Sequence, residues 1–371
     1  MDEVNLFEEA NRQLTICNAC RYCEGFCPVF KAVEARRTFT PGDIRYFGNL
    51  CHDCRACYQA CMFTPPHEFA INFPKLMSDV RIESYKHWSW PAAFGKSFTS
   101  KSVGVFIGLI TIAVTLIVAF MTIPPERIFG SHLGPGAFYE IVPYATMVIP
   151  AIVLFAYGIM IWLQGSIRFW NEGDSPLLKK PATAGAVVRA ISDALSLRYL
   201  GGGGPGCSYP EEKPSSARRV FHSLVFWGFL LDFASTTLAF VYEDFFHRLP
   251  PYPILSAPVL FGTVGGVGLI IGTAGLLWFK MESDRSLSAE TAYSMDYAFL
   301  FFLGLVALTG MFTLALRDTT ALGTTLLIHL ASVAALFITA PYGKFVHVVY
   351  RTFALIRYQI EQEHPAQGGG H

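Results

Sequence analysis

Six long apolar segments leave this chain little choice of fold. They run over about 103–123, 141–167, 220–242, 254–279, 297–316 and 319–343. Each approaches or exceeds the roughly 20 residues that a helix needs to cross a bilayer. Five carry no Asp, Glu, Lys or Arg, and the third carries one, Asp232. Helices buried in a soluble protein are rarely apolar on every face for such lengths. Charged residues make up 15% of the chain, against about 25% in an ordinary soluble domain. The formal net charge is zero, and no basic stripe or stacking platform points to a nucleic acid.

Orientation follows from the placement of Lys and Arg. One side collects Arg168, Lys179, Lys180, Arg189, Arg198, Lys213, Arg218, Arg219, Lys280, Arg285, Lys344, Arg351 and Arg357, and the other holds Arg127, Arg248 and Arg317. Six crossings return the chain to the side on which it started. Both termini are therefore expected in the cytoplasm, at the bacterial inner membrane. The first hundred residues contain no signal-peptide apolar core that would export them. Residues 1–85 form a polar, cysteine-rich cytoplasmic domain, and 86–101 an interfacial linker in which Trp88 and Trp90 sit at headgroup level. A membrane domain over 102–350 follows, with a cytoplasmic loop at 168–218. A cytoplasmic tail over 351–371 turns Gly-rich after Pro365.

The N-terminal domain contains one internal repeat. Its first copy is Cys17-x-x-Cys20-x-x-Cys23-x-x-x-Cys27-Pro28, and its second is Cys51-x-x-Cys54-x-x-Cys57-x-x-x-Cys61. Three cysteines at a spacing of three wrap one cubane from a tight loop, and in two-cluster ferredoxins the fourth ligates the other cluster. One [4Fe–4S] cluster is accordingly assigned to Cys17, Cys20, Cys23 and Cys61, and a second to Cys51, Cys54, Cys57 and Cys27. Structural zinc has no use for doubled four-cysteine runs, and disulfides are disfavoured in a cytoplasmic domain. Met62 stands where the second copy would carry its proline.

Between the runs, Thr40 is an N-cap, Pro41 occupies N1 and Asp43 occupies N3 of a helix that leads into Cys51. Residues 5–16 are helix-like and lead into Cys17. The domain is thus expected to be a helical ferredoxin module, and the whole chain all-α.

Three histidines lie within or at the ends of spans, where ionisable groups are functional candidates. His222 opens the third span and His347 follows the sixth, both at the cytoplasmic face. They would clamp one b-type haem beneath the iron–sulfur domain, with nearby arginines on its propionates. His329 and His347, eighteen residues apart, would share a face of one helix with about 27 Å between them. His329 is thus a candidate for a second haem, although Pro341 and Gly343 interrupt the pattern and no partner for it is evident beyond the outer-side His132 and His247. Asp232 is either a helix-packing group or a proton or quinone site. Cys207 has no motif partners and reads as a plain loop thiol.

The stretches Cys51-His52-Asp53-Cys54-Arg55-Ala56-Cys57, Pro65-Pro66-His67-Glu68-Phe69-Ala70-Ile71-Asn72 and Tyr199-Leu200-Gly201-Gly202-Gly203-Gly204 with Gly206-Cys207 resemble the tricarballylate utilisation protein B family, also called CitB. The resemblance covers almost the whole chain. It implies a protein that accepts electrons from a soluble FAD-dependent dehydrogenase of tricarballylate, docked on the cytoplasmic face. It further implies that they pass through iron–sulfur clusters and haem b to the quinone pool. The haem helices also resemble those of the membrane subunit of respiratory nitrate reductase, with His222 alone kept in the third span. The chain carries no flavin or nucleotide fingerprint, so the flavin belongs to another chain. It is then the electron-transfer component of an oxidoreductase system. The rival readings are an iron–sulfur membrane anchor and a redox sensor. The glycine loop at 201–207 is expected to contact the flavoprotein.

Overall fold

The computed structural model describes residues 3–100, 102–172, 181–203 and 206–364. Lys101, Lys179, Lys180, Gly204, Pro205 and the Gly-rich tail from Pro365 lie outside them. Among the described residues the regular structure is entirely helical.

Five helices build the N-terminal domain: α1 (Glu3–Cys20), α2 (Pro28–Glu34), α3 (Pro41–Leu50), α4 (Ala56–Gln59) and α5 (Phe73–Trp88). The expected start of α3 is observed. Thr40 accepts from the Asp43 N–H at 3.2 Å and the Asp43 carboxylate accepts from the Thr40 N–H at 3.1 Å, with Pro41 in the first turn. A short helix, α6 (Ala92–Phe98), leads to the first span.

The six spans are α7 (Val103–Thr122), α10 (Tyr144–Asn171), α12 (Ala217–Asp244), α13 (Ala257–Glu282), α14 (Glu290–Ala315) and α15 (Leu322–Thr339). Short helices α8 (Pro125–Phe129) and α9 (Ala137–Ile141) fill the connection after α7, and α11 (Ala184–Leu195) lies in the long loop between α10 and α12. Large apolar side chains such as Phe106, Ile117, Val153 and Val264 face outward, as lipid requires. Helices α12 and α13 approach closely through glycine. A Cβ at Gly228 would lie 2.9 Å from the Gly265 carbonyl, and one at Gly272 would lie 2.8 Å from that of Phe221. Small residues at such crossings let backbones pack without lipid between them.

The last span is shorter than its apolar stretch suggests. Helix α15 stops at Thr339, Pro341 and Gly343 lie in the turn that follows, and a separate helix, α16, runs over Val346–Glu363. His329 and His347 therefore sit on different helices, and the eighteen-residue spacing does not align them on one face. The segment expected as a cytoplasmic tail is largely this helix.

Helix α16 ties the two domains together. Tyr350, Ala354, Leu355 and Tyr358 share one apolar core with Leu14, Ile44, Phe47 and Met77 of the N-terminal domain. At its far end Glu361, almost fully buried, pairs with Arg36 of α2–α3, which also holds Asp43 at 2.7 Å, and Tyr46 donates to the same Glu361 at 3.2 Å. Removing one member of a buried pair strands the other charge, at a cost of about 3 kcal/mol or more. Glu361→Ala is expected to lower the thermal midpoint of the purified protein and expose the N-terminal domain to limited proteolysis. An unchanged midpoint and digestion pattern would show that this pair does not hold the domain down.

Trp88, expected at headgroup level, is instead fully buried. Its Nε1 donates to Glu172 at 2.5 Å and its ring packs against Phe169 and Tyr350. Glu172, at the end of α10, also receives Arg45 of α3. The neighbouring Trp90 is partly exposed.

Candidate functional site

Local backbone geometry delivers the eight repeat cysteines. The last turns of α1 carry Cys17 and Cys20, and a turn entered through left-handed Arg21 (φ 55°) brings round Cys23. Cys27 is extended and caps α2, whose first residue is Pro28. Cys51 ends α3, the loop passes through left-handed Asp53 and Arg55, Cys57 rides on α4, and Cys61 follows it. All eight are free thiols.

They gather as two crossed sets. Cys61 joins Cys17, Cys20 and Cys23 around one cavity, closed by Ile16, Phe30 and Phe63. Cys27 neighbours Cys54 and Cys51, and Cys57 neighbours Cys54, Cys27 and Cys51. The two sets adjoin where Cys23 meets Cys57 and Cys54. Burial, reinforced by the thiols' own mutual repulsion, pushes Cys17 and Cys23 up to about 12. Such sets bind thiolate-seeking metal with release of protons. The donor types would suit two four-thiolate sites.

The second set is closely bound to the membrane domain. Arg81 of α5 and Arg351 of α16 both donate to the Cys51 carbonyl, at 2.7 and 2.9 Å. Arg218 of α12 donates to the Asp53 carbonyl at 2.5 Å. These roles are missed by sequence reading, which places arginines 218 and 351 on propionates. The signal that could have found them is spacing, since Arg218 precedes His222 by one turn and Arg351 follows His347 by one turn.

His222 and His347 do come together. Their ring centroids are 6.3 Å apart and their planes are nearly perpendicular, at 89°. Two imidazoles sharing one metal ion at the usual bond length of about 2 Å would have centroids about 6 Å apart. The Nδ1 of His347 bonds the Lys344 carbonyl at 2.6 Å, which leaves its Nε2 as the free donor. Lys344 is itself anchored, its Nζ lying 2.6 Å from Asp296. Burial, with Arg351 and Lys344 nearby, holds His347 well below the usual pKa, so its ring is neutral and able to ligate. The Nδ1 of His222 is buried without a partner. Phe229, Phe299 and Trp162 pack around Phe345, and the Phe299 ring lies 6.4 Å from that of His347. The two rings could hold one metal-centred group between them.

The other candidates lie elsewhere. His329 bonds Thr309 across α14 and α15 at 3.1 Å, in room left by Gly310. His132 has both ring nitrogens engaged, by Glu140 and the Arg127 carbonyl, and His247 is exposed in an outer loop. Asp232 faces Gly265 of α13, and its buried Oδ1 has no hydrogen-bond partner. Cys207 is buried against Cys54, Tyr209 and Phe279, and the Ser208 N–H donates to the Cys54 carbonyl at 2.9 Å. The glycine loop folds over the second set, with Gly203 so close to the Phe26 carbonyl that no side chain would fit. Cys207 is thus no accessible loop thiol, and this part of the loop faces its own domain.

Six spans under a helical domain with paired cysteine sets define a class, the multi-pass membrane proteins with a ferredoxin-like iron–sulfur domain. The chain matches the family described as Citrate utilization protein B over residues 99–368, and that family's Fer4-like domain over residues 10–87. It is 43% identical to the Citrate utilization protein B of Escherichia coli, across 97% of this chain and 94% of the relative. It therefore belongs to the CitB family. No solved structure matches it.

Proposed function

We propose that the protein is a membrane electron conduit, fed by reduced flavin on a soluble FAD-dependent dehydrogenase and emptied by quinone. Two [4Fe–4S] clusters on the crossed cysteine sets, and a b-type haem on His222 and His347, would supply one-electron carriers between the cytoplasmic surface and the membrane. One haem is proposed, because His222 and His347 are the histidines that come together, and the outer-side His132 and His247 lie in loops away from His329. The observation that carries this reading is the double tie between cysteine loop and histidine pair: Arg218 and Arg351 hold the loop at Asp53 and Cys51, and each lies one helical turn from a histidine.

The chain's own residues set the path. Cys20 is exposed, with Tyr22 and Met62 beside it, which gives the dehydrogenase an approach to the first set. The second set lies deeper, against α12 and α16. The Lys344 carbonyl fixes the His347 tautomer, and Phe299 packs against its ring. The membrane is proposed to be the bacterial cytoplasmic membrane, with both termini on the cytoplasmic side, in line with the Lys and Arg distribution. The dehydrogenase is proposed to act on tricarballylate, whose adjacent carbons each carry a removable hydrogen. The family resemblance supports that substrate, and the relative's name points to the same class of tricarboxylic acid.

The test uses full-length protein in detergent, reduced stoichiometrically and mixed with a short-chain quinone. Rapid reoxidation of all its carriers is expected. If the protein stays reduced with quinone in excess, it is an anchor or a sensor and not a conduit.

A further inference from the structure

The two cysteine sets differ in the charge around them. Four arginines converge on the second. Arg81, Arg351 and Arg218 donate to its loop carbonyls, as described. Arg55, between Cys54 and Cys57 in sequence, is fully buried, and none of its three nitrogens has a hydrogen-bond partner. Arg55 and Arg218 both pack on the ring of Tyr209, at 4.5 and 4.6 Å. The carboxylate in their midst is Asp53, whose nearest oxygen is 3.9 Å from Arg55 and itself unbonded. Four guanidiniums gathered at one buried loop, with Asp53 the carboxylate beside Arg55, call for further negative charge.

The first set has no such surroundings. The arginines near it are exposed and already paired, Arg12 with Glu9 and Arg21 with Glu34. Its cavity is lined by apolar side chains and by the cysteines themselves, and it opens to solvent at Cys20.

Nearby positive charge favours the more negative, reduced form of a thiolate-bound cluster, and net charge is one of the terms that sets cluster potential. We propose that Arg55, Arg81, Arg218 and Arg351 form a cationic cage that makes the second set's cluster the easier of the two to reduce. This rests on the conduit reading for its purpose. An electron given to the exposed first set by a reduced flavin then settles on the set beside the histidines, and the first set is returned oxidised for the next electron. Direction is built into the chain by charge.

The experiment is a redox titration of the full-length protein with both clusters loaded, followed by electron paramagnetic resonance. Two separate midpoints are expected. Arg55→Gln and Arg218→Gln should each lower the higher midpoint and leave the lower in place. The expected size is at least tenfold in the reduced-to-oxidised ratio at fixed ambient potential, which is about 59 mV for one electron. Arg218→Lys, which keeps the charge, should restore most of the shift. Coincident midpoints in the unaltered protein would overturn the cage, as would a shift confined to the lower midpoint or a variant that moves neither. The titration needs neither dehydrogenase nor quinone. A protein with the expected midpoints that fails to reduce quinone would lose the conduit reading and keep the cage, and coincident midpoints in a working quinone reductase would do the reverse.

Discussion

Replacing either His222 or His347 by alanine is expected to strip the b-type absorption from the reduced protein while its iron–sulfur content stays in place. The two ring centroids lie 6.3 Å apart, and one ring is already oriented by the Lys344 carbonyl. Loss of an outer-shell partner alone costs a metal site about 10- to 100-fold in affinity, so loss of a ligand should reduce haem per chain at least tenfold. Reoxidation by quinone should fall with it. His329→Ala is the control: its ring lies between α14 and α15, away from the His222–His347 pair, so haem content should be unchanged. Full haem content in both His222→Ala and His347→Ala would move the cofactor elsewhere. Loss in His329→Ala alone would move it to the α14–α15 pair.

The second large effect concerns the crossing of the cysteine sets. Cys61 belongs to the second run in sequence and to the first set in space. Cys61→Ala should therefore remove roughly half of the bound iron and sulfide and extinguish the cluster signal of the Cys17, Cys20 and Cys23 set. Cys27→Ala should extinguish the other. The double variant Cys61→Ala with Cys20→Ala should lose no more iron than either single variant, since both strike one site. If that pair empties both sites, ligation follows the runs as written and the crossing is wrong.

Much of this could be read from residue types and spacing. The spans are legible because lipid demands long uncharged stretches, and their observed limits fall close to the expected ones. The cap of α3 is legible because Thr40, Pro41 and Asp43 carry their own instructions. The two cysteine runs are legible because each repeats the same spacing. The break after Thr339 is less visible, since the apolar run continues through the turn and composition does not distinguish a span from a span plus a corner. Trp88 is buried because the domain folds down onto α10 and supplies Glu172, a long-range event that local pattern does not encode. The arginines are the clearest case. Charge counting uses Arg218 and Arg351 only to orient the chain, yet their guanidiniums point at a cysteine loop far away in sequence. Cys207 was hidden for the same reason, its partner Cys54 lying in the other domain.

The pairing of Arg36 with Glu361 has a consequence for how the molecule is made. The partners are 325 residues apart in sequence. A growing chain releases its N-terminal domain first, and such domains ordinarily finish folding before the rest is synthesised. Arg36 keeps Asp43 at 2.7 Å within its own domain, and Glu361 adds a second carboxylate from the helix that supplies Tyr350 and Ala354 to the shared core. The N-terminal domain therefore gains its full set of buried contacts only after the six spans that lie between these partners have been synthesised.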